Sequence, residues 1–195
     1  MNEIDSIVNN ISRFVTLDRV EIDVFTSHLK NVRIKKRQQI VQPDFVCKSR
    51  TYVVSGALKA YIVDPNDGQE QVIGLAIDDW WIFDFTSYIN QEPATFFVEA
   101  VDDSTIIQLS FENEQKLYDL IPKFERFFRL HAQRTASGLQ KRMLSNLSKT
   151  AEERFDELAN RYPKFLLKFP QYVIASYLGI TTQFLSKIRN SRTKS

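Results

Sequence analysis

The sequence predicts an α+β fold in which a β-rich segment lies between helical segments. Short runs with strand-like composition fill residues 32–109, and helical periodicity precedes and follows them. The charge also divides along the chain. Residues 131–195 carry 12 lysines and arginines against 4 acids, a net of +8, whereas residues 1–130 carry 14 against 20, a net of −6. An acidic first part and a basic second part predict two roles in one chain, with the basic part contacting a polyanion.

Composition narrows the class of protein. Of the 195 residues, 43% are hydrophobic and 26% are charged, which is enough to build a globular core. No apolar run approaches the ~18 residues of a membrane helix. The N-terminus lacks the pattern of a signal peptide. We therefore expect a cytoplasmic protein without membrane contact.

Few residues suit metal or catalytic chemistry. Cys47 is the single cysteine, and His28 and His131 are the two histidines, which excludes an internal disulfide and leaves little for a metal centre or haem. There are five glycines, no glycine-rich phosphate loop and no Ser-His-Asp set. We therefore expect no cofactor, no metal site and no enzymatic activity.

Two helices and then seven strands are predicted first. Residues 3–15 place apolar side chains at helical spacing, and Thr16 is the candidate N-cap of a second helix that extends to Leu29. Turn sequences rich in Asp, Asn, Gly and Pro separate the strands. These strands are Val32–Ile34, Ile40–Val41, Tyr52–Val54, Leu58–Val63, Gln71–Ile77, Phe96–Val101 and Thr105–Leu109. Many short strands predict an antiparallel sandwich or barrel, interrupted by a short helix at Asp84–Asn90.

Helical periodicity returns after the last strand. Ser110 resembles the start of one helix, and a longer helix runs from about Pro122 to Leu147. One stripe follows the longer helix and consists of Phe124, Phe128, His131, Thr135, Leu139, Met143 and Leu147. A narrow stripe on a long helix is typical of a two-chain coiled-coil contact, and we favour a homodimer through this helix. The alternative is that the stripe packs on the chain's own sheet.

The C-terminal part contains the most specific motif. Residues 151–162 form one helix, and residues 171–188 then meet the requirements of a helix-turn-helix. Ala175 is small where the second helix crosses the first, Gly179 permits a positive φ at the turn, and Thr181 is a good N-cap. The apolar wedge consists of Ile174, Leu178, Ile180, Leu185 and Ile188. An ordinary helical hairpin is the alternative.

In a DNA-binding helix-turn-helix, the second helix enters the major groove with its first turns facing the bases. The candidate DNA-binding residues are Thr181, Thr182, Gln183, Ser186, Lys187, Arg189 and Asn190. Gln183 can form two hydrogen bonds with adenine, and Lys187 can reach guanine or a phosphate. Thr181, at the helix start, suits a phosphate. The later cations Arg189, Arg192 and Lys194 are candidates for contacts with the DNA backbone, although for Arg192 and Lys194 taken alone we favour a solvated face.

The order of these parts resembles the Crp/Fnr family of bacterial transcription regulators, and in particular its short members of the Bacteroidetes type. The resemblance covers essentially the whole chain and is most specific in the stretch IASYLGITTQFLSKIR. It implies a jelly-roll β-barrel like a cyclic-nucleotide-binding domain at 1–121, a dimerisation helix at 122–148 and a helix-turn-helix domain at 149–195. It also implies a homodimer on two-fold symmetric double-stranded DNA, with RNA polymerase as a further partner. Because seven residues follow Ile188, we expect no C-terminal wing.

The effector site departs from the family pattern. Members that bind cyclic AMP carry a Gly-Glu pair that holds the ribose and an Arg-Ser or Arg-Thr pair that neutralises the phosphate. Phe83 and Asp84 stand at the first pair here, and Ala94 and Thr95 stand at the second.

Cations are also scarce around this cassette. No arginine lies between Arg50 and Arg126, and Lys59 is the only lysine from 51 to 115. A buried phosphate needs a positive partner or a dense set of backbone N–H groups. We therefore predict that the chain does not bind cyclic AMP.

The cassette is instead rich in aromatic residues, namely Trp80, Trp81, Phe83, Phe85, Phe96 and Phe97. We favour core packing for them over an apolar effector pocket. The predicted function is a homodimeric, sequence-specific DNA-binding regulator with a degenerate effector pocket. The alternative is a sensor of a small molecule, either a cyclic nucleotide or an apolar effector, whose C-terminal module contacts a protein partner.

Overall fold

The computed structural model describes residues 3–193 and has the predicted α+β architecture. Nine helices lie within this range: α1 Glu3–Ser12, α2 Arg19–Ser27, α3 Phe85–Asn90, α4 Phe111–Leu120, α5 Lys123–Ser148, α6 Ala151–Arg161, α7 Pro163–Lys168, α8 Gln171–Leu178 and α9 Thr182–Thr193. The strands of the same range are β1 Leu29–Ile34, β2 Gln39–Val41, β3 Ser49–Ser55, β4 Ala57–Val63, β5 Glu70–Ile77, β6 Trp80–Ile82, β7 Phe97–Ala100 and β8 Ser104–Ser110.

The strands form two four-stranded antiparallel sheets that face each other. One has the order β1-β8-β3-β6 and the other has the order β2-β7-β4-β5, so strands distant in sequence lie side by side, as in a jelly roll. All seven predicted strands are present. The eighth, β6, was missed because its three residues follow the Asp78-Asp79 turn directly. It pairs with β3 through Thr51 and Ile82.

Several helix boundaries correct the sequence analysis. The first helix ends at Ser12 rather than at residue 15, and the second ends at Ser27, so Leu29 belongs to β1. The second helix begins after Asp18 rather than Thr16, because the Asp18 side chain accepts a hydrogen bond from the Glu21 N–H and Glu21 accepts one from the Asp18 N–H. This reciprocal arrangement is a capping box. Pro163 follows α6 and begins a further helix, α7, which the sequence analysis did not predict. Proline is favourable in the first turn of a helix because its N–H is not needed there and its φ is already helical.

Three apolar clusters hold the molecule together. One fills the space between the two sheets, with Val53, Leu58 and Ile106 among its members. A second joins the outer face of the β1-β8-β3-β6 sheet to α1, α2, α4 and the start of α5. The third joins the outer face of the β2-β7-β4-β5 sheet to α6–α9. The C-terminal helices therefore share a core with the barrel.

The predicted apolar stripe on the long helix α5 has two halves with different surroundings. Phe124 and Phe128 are buried in the second cluster, whereas Leu139, Met143 and Leu147 are 60%, 64% and 75% exposed. The first half of the stripe thus packs on the chain's own sheet, and the second half has no covering within residues 3–193. No helix in the described range is long and apolar enough to cross a bilayer.

Candidate nucleic-acid interface

The turn between α8 and α9 has the geometry that the motif requires. Gly179 adopts the left-handed conformation, with φ 66° and ψ 37°, and ends α8. The Ile180 N–H then returns to the Ala175 carbonyl at 3.0 Å, which satisfies a carbonyl that the helix end would leave unpaired. The Thr181 hydroxyl accepts a hydrogen bond from the Phe184 N–H at 3.2 Å and caps α9.

The wedge between the two helices is apolar and closed. Ile174, Ala175, Leu178, Leu185 and Ile188 are each at most 6% exposed. Burial of these side chains fixes which face of α9 points inward. The opposite face, which carries Gln183, Lys187 and Asn190, is exposed.

The predicted DNA-binding residues divide by their surroundings. Thr182, Gln183, Lys187 and Asn190 are exposed on the outer side of α9, and Thr181 and Arg189 are exposed as well. Ser186 is half-buried, and its hydroxyl lies 3.0 Å from the Thr182 carbonyl and 3.3 Å from the Gln171 side-chain oxygen. Ser186 therefore lies at the contact between α9 and α8, whereas the other six residues are exposed.

The end of α9 is tied to α6. The Arg192 guanidinium makes a bidentate contact with the Asp156 carboxylate. Nε donates to one oxygen at 3.1 Å, and Nη2 donates to the other at 2.8 Å. The hydrogen bonds from Arg192 also lower the pKa of the Asp156 carboxyl. Arg192 is therefore paired with an acid of its own chain, whereas the sequence analysis weighed a DNA-backbone contact and favoured a solvated face. Lys194 lies outside the described residues.

The motif is held against the barrel at strand β5. The Ser176 hydroxyl accepts a hydrogen bond from the Val72 N–H at 2.9 Å and donates one to the Glu70 carbonyl at 2.9 Å. β5 is an edge strand of its sheet, so this side chain pairs with backbone groups that no further strand reaches.

One arginine links three elements at the same place. The Arg142 guanidinium, on α5, donates to the Ile73 carbonyl of β5 and, at 3.2 Å, to the Tyr177 carbonyl of α8. It also stacks over the Tyr177 ring at 3.9 Å from the centroid. The sequence analysis missed this residue because its partners lie 69 and 35 positions away.

A second arginine was missed for the same reason. Arg154 of α6 donates to the Lys149 carbonyl just after α5 at 3.0 Å and to the Leu178 carbonyl at the end of α8 at 3.1 Å. Cations at helix C-termini are favourable because the last carbonyls carry partial negative charge. Arg142 and Arg154 together fix the angle between the long helix and the helix-turn-helix.

The predicted effector cassette contains a buried carboxylate that is already hydrogen-bonded within the chain. Asp84 is 1% exposed and caps α3. One carboxylate oxygen accepts from the Ser87 N–H at 3.0 Å, and the other accepts from the Thr95 N–H at 3.1 Å. Asp84 thus connects both ends of the cassette, between Phe83 on one side and Ala94 on the other.

The nearby cations are already paired. Lys59 is buried and contacts Glu70 and, at 3.5 Å, Glu99. Arg50, which the sequence analysis counted as lying before the cassette, is in fact folded against it, 4.9 Å from the Phe83 ring centroid. Its guanidinium forms a buried ion pair with Glu114.

The cassette aromatics are distributed among separate contacts. Trp80 packs on Tyr162 and Phe165 of the C-terminal helices. Trp81 packs on Phe127 and Phe128 of α5. Phe83 packs on Tyr88 and Phe85, Phe97 stacks on Tyr61, and Phe96 packs against the cluster between the sheets, while Phe85 is half exposed. The aromatic side chains of the cassette are therefore distributed over the three apolar clusters and the surface.

Comparison with known proteins identifies the fold. No protein-family model matches the sequence, and no curated protein matches it. Solved structures do. FixK2 from Bradyrhizobium japonicum is 19% identical, with 85% of each chain covered and a TM-score of 0.68. A CooA mutant from Carboxydothermus hydrogenoformans is 18% identical, over 96% of this chain and 84% of that one, with a TM-score of 0.67. The c-di-GMP-responsive global regulator CLP from Xanthomonas campestris is 14% identical, over 91% and 92%, with a TM-score of 0.67.

The chain shares the fold of these three proteins over most of its length.

Proposed function

We propose that the chain is a transcription regulator of the Crp/Fnr type that binds double-stranded DNA as a homodimer and reads its sequence with α9. The observation that carries this proposal is the outer face of α9. Gln183, Lys187 and Asn190 are exposed there, while Leu185 and Ile188 hold the opposite face in the core. A polar, partly cationic helix face fixed at its N-terminus by a tight turn matches the requirements of major-groove recognition.

Each exposed residue has a distinct proposed role. Gln183 forms two hydrogen bonds with an adenine edge, and Lys187 contacts guanine acceptors or a phosphate. The first N–H groups of α9, at Thr181 and Thr182, bind a phosphate because a helix N-terminus favours anions. Arg189 and Asn190 lie one turn further along and contact the backbone. Ser186 keeps α8 and α9 in register.

The homodimer is proposed from the second half of α5. Leu139, Met143 and Leu147 succeed one another at intervals of four residues, and each is more than half exposed. Exposed apolar residues along one helix face usually mark a protein contact. Pairing of two such helices would set the two copies of α9 about one DNA turn apart, ~34 Å, on a symmetric site.

We further propose that the regulator works without cyclic AMP. The Asp84 carboxylate already accepts the Ser87 and Thr95 N–H groups, so these donors are not available to a phosphate at the second pair of the cassette. Arg50 and Lys59 are neutralised by their own carboxylates. In this proposal the parts keep the predicted limits of 1–121, 122–148 and 149–195, and the barrel serves to position α5.

Selection of bound duplexes from a random pool, with purified protein and no cyclic AMP, tests the proposal. We expect enrichment of a two-fold symmetric site. Binding should weaken steeply with salt, because each neutralised phosphate releases counterions. Gln183→Ala should lose about 10-fold or more in affinity and relax the preference at one base pair of each half-site.

Two outcomes would count against the proposal. If no sequence is enriched from the pool, the proposal of sequence-specific DNA binding is wrong. The alternative, in which the C-terminal module contacts a protein partner, would then be favoured. If calorimetry detects saturable binding of cyclic AMP in the micromolar range, the proposal that the regulator works without cyclic AMP is wrong. RNA polymerase is the proposed further partner, and it is tested by transcription from a promoter that carries the selected site.

A further inference from the structure

Phe184 is an aromatic residue among the polar residues of the first turn of α9. Phe184 is 38% exposed, although its neighbour Leu185 is 1% exposed. Within residues 3–193 the Phe184 ring makes none of the aromatic contacts that most phenylalanines of this chain make. Its backbone N–H is used by the Thr181 cap, so the backbone is fixed while the ring remains accessible.

Phe184 lies close on the helix surface to Gln183 and Lys187, the residues proposed to contact bases. At about 100° per residue, Phe184 lies between the buried face and the outer face, on the same side as Lys187 three positions later. It directly follows Gln183 in the first turn. The first turns of a recognition helix are those that face base edges.

The chemistry of the major groove restricts what a phenyl ring can contact. Phosphates and most base edges offer only charges, donors and acceptors, none of which a phenyl ring can satisfy. The thymine C5 methyl is the apolar group that the groove displays. Removal of an exposed ring and a methyl group from water is favourable, by about 0.8 kcal/mol for each buried carbon of that kind.

We propose that Phe184 is a specificity-determining residue that recognises thymine through its C5 methyl, beside the base that Gln183 reads. This inference rests on the proposed DNA binding through α9, and it adds a second kind of readout to hydrogen bonding. It implies that each half-site contains a thymine whose methyl group contributes to affinity.

Deoxyuridine substitution tests the inference, because it removes only the methyl group. Each thymine of the selected site is replaced in turn by deoxyuridine, in both half-sites. The wild-type protein should lose about fourfold in affinity per methyl at one thymine position, which is about 0.8 kcal/mol converted at 1.4 kcal/mol per tenfold. With two half-sites the loss should be on the order of fifteenfold. Other thymines should have little effect.

The variant Phe184→Ala should bind the parent site more weakly and should bind the parent and deoxyuridine sites equally. Phe184→Leu, which keeps an apolar side chain, should retain part of the methyl dependence. Tyr172→Ala is the matched control, because Tyr172 is a 57% exposed aromatic residue on α8. Both Tyr172→Ala and Gln183→Ala should keep the full methyl dependence.

The outcomes separate the two levels of the argument. If wild type binds the selected site and no deoxyuridine position matters, the role of Phe184 is wrong while DNA binding stands. A Phe184→Ala protein that is as sensitive to methyl removal as wild type would also overturn it. If wild type selects no site, the proposed function fails and the inference fails with it. Thermal unfolding checks that the variants fold, and Phe184→Gln replaces the alanine variant if that one does not.

Discussion

Arg50 and Glu114 form a buried ion pair that joins the barrel to the long-helix region. The two side chains are 5% and 2% exposed, and a second contact, from the Arg50 terminal nitrogen, measures 2.9 Å. Tyr88 of α3 and Tyr118 of α4 donate their hydroxyls to the same carboxylate, at 2.8 and 2.5 Å. The Arg50 guanidinium also lies 4.5 Å from the Phe128 ring centroid of α5. The ion pair therefore holds β3, α3, α4 and α5 together.

Glu114→Gln should destabilise the fold strongly, because it leaves the Arg50 charge buried without compensation. We expect a loss of about 3–5 kcal/mol in the free energy of unfolding, measured by urea denaturation. The control Glu112→Gln breaks the exposed pair with Lys116 on the same helix and should change stability little. The combination of Arg50→Met with Glu114→Leu should recover most of the loss. Equal effects of Glu114→Gln and the control would contradict the importance of the buried pair.

His131 should make stability depend on pH. Burial against Trp81 and Phe127, followed by the charges of Arg50 and Arg134, lowers its pKa to about 4. Between about pH 4 and 6.5 the unfolded chain takes up a proton that the folded chain refuses, so stability falls as the pH falls through this window, by at most about 3 kcal/mol.

Comparison with His131→Phe isolates this effect, since all other titrating groups are shared. The stability difference between the two proteins, measured by denaturation from pH 4 to pH 8, should be constant above pH 7. Below pH 6.5 the phenylalanine variant should gain relative to wild type. A difference that does not change with pH would show that the His131 pKa is not lowered.

The same substitution should have opposite effects at two glycines. Gly179→Ala should lose about 1 kcal/mol of stability, because φ 66° is unfavourable for a residue with a Cβ atom. Gly138→Ala should gain about 0.5–1 kcal/mol, because Gly138 lies inside α5 and an added Cβ meets no atom within 4 Å. Thermal and urea unfolding of both variants check the signs, and two changes of the same sign would disprove the interpretation.

Met143→Glu should prevent the proposed dimer by placing a charge in the exposed apolar stripe of α5. Sedimentation or light scattering should report a monomer, and affinity for a symmetric DNA site should fall to that of a single half-site. Lys141→Glu places the same carboxylate about 160° around the helix and should leave the assembly unchanged. If wild type is itself a monomer at concentrations where it binds DNA, the dimer model is wrong.

The helix-turn-helix could be predicted because its requirements are local. Small, flexible and capping residues at Ala175, Gly179 and Thr181 all fall within seven positions and act on the backbone of the same segment. The capping box at Asp18 and Glu21 was equally local, and attention to the residue three positions after the cap would have located the start of α2 correctly.

The remaining features depend on contacts that sequence spacing does not reveal. Arg50 and Glu114 are 64 residues apart, and Arg142 reaches Ile73 across 69. A periodic stripe likewise predicts that one face of α5 is covered, but the covering differs along its length, from the chain's own sheet at Phe128 to solvent at Met143.

The contact between Ser176 and β5 has a consequence for how the protein behaves in concentrated solution. Any movement that separates α8 and α9 from the barrel uncovers the Val72 N–H and the Glu70 carbonyl on an open sheet edge, which is a template for pairing with strands of other molecules. Freedom of these helices to reorient is therefore coupled to aggregation. To stay monodisperse at high concentration, the protein must therefore keep α8 packed on β5 for most of the time. Self-association of a Ser176→Ala variant would indicate that the β5 edge had become exposed.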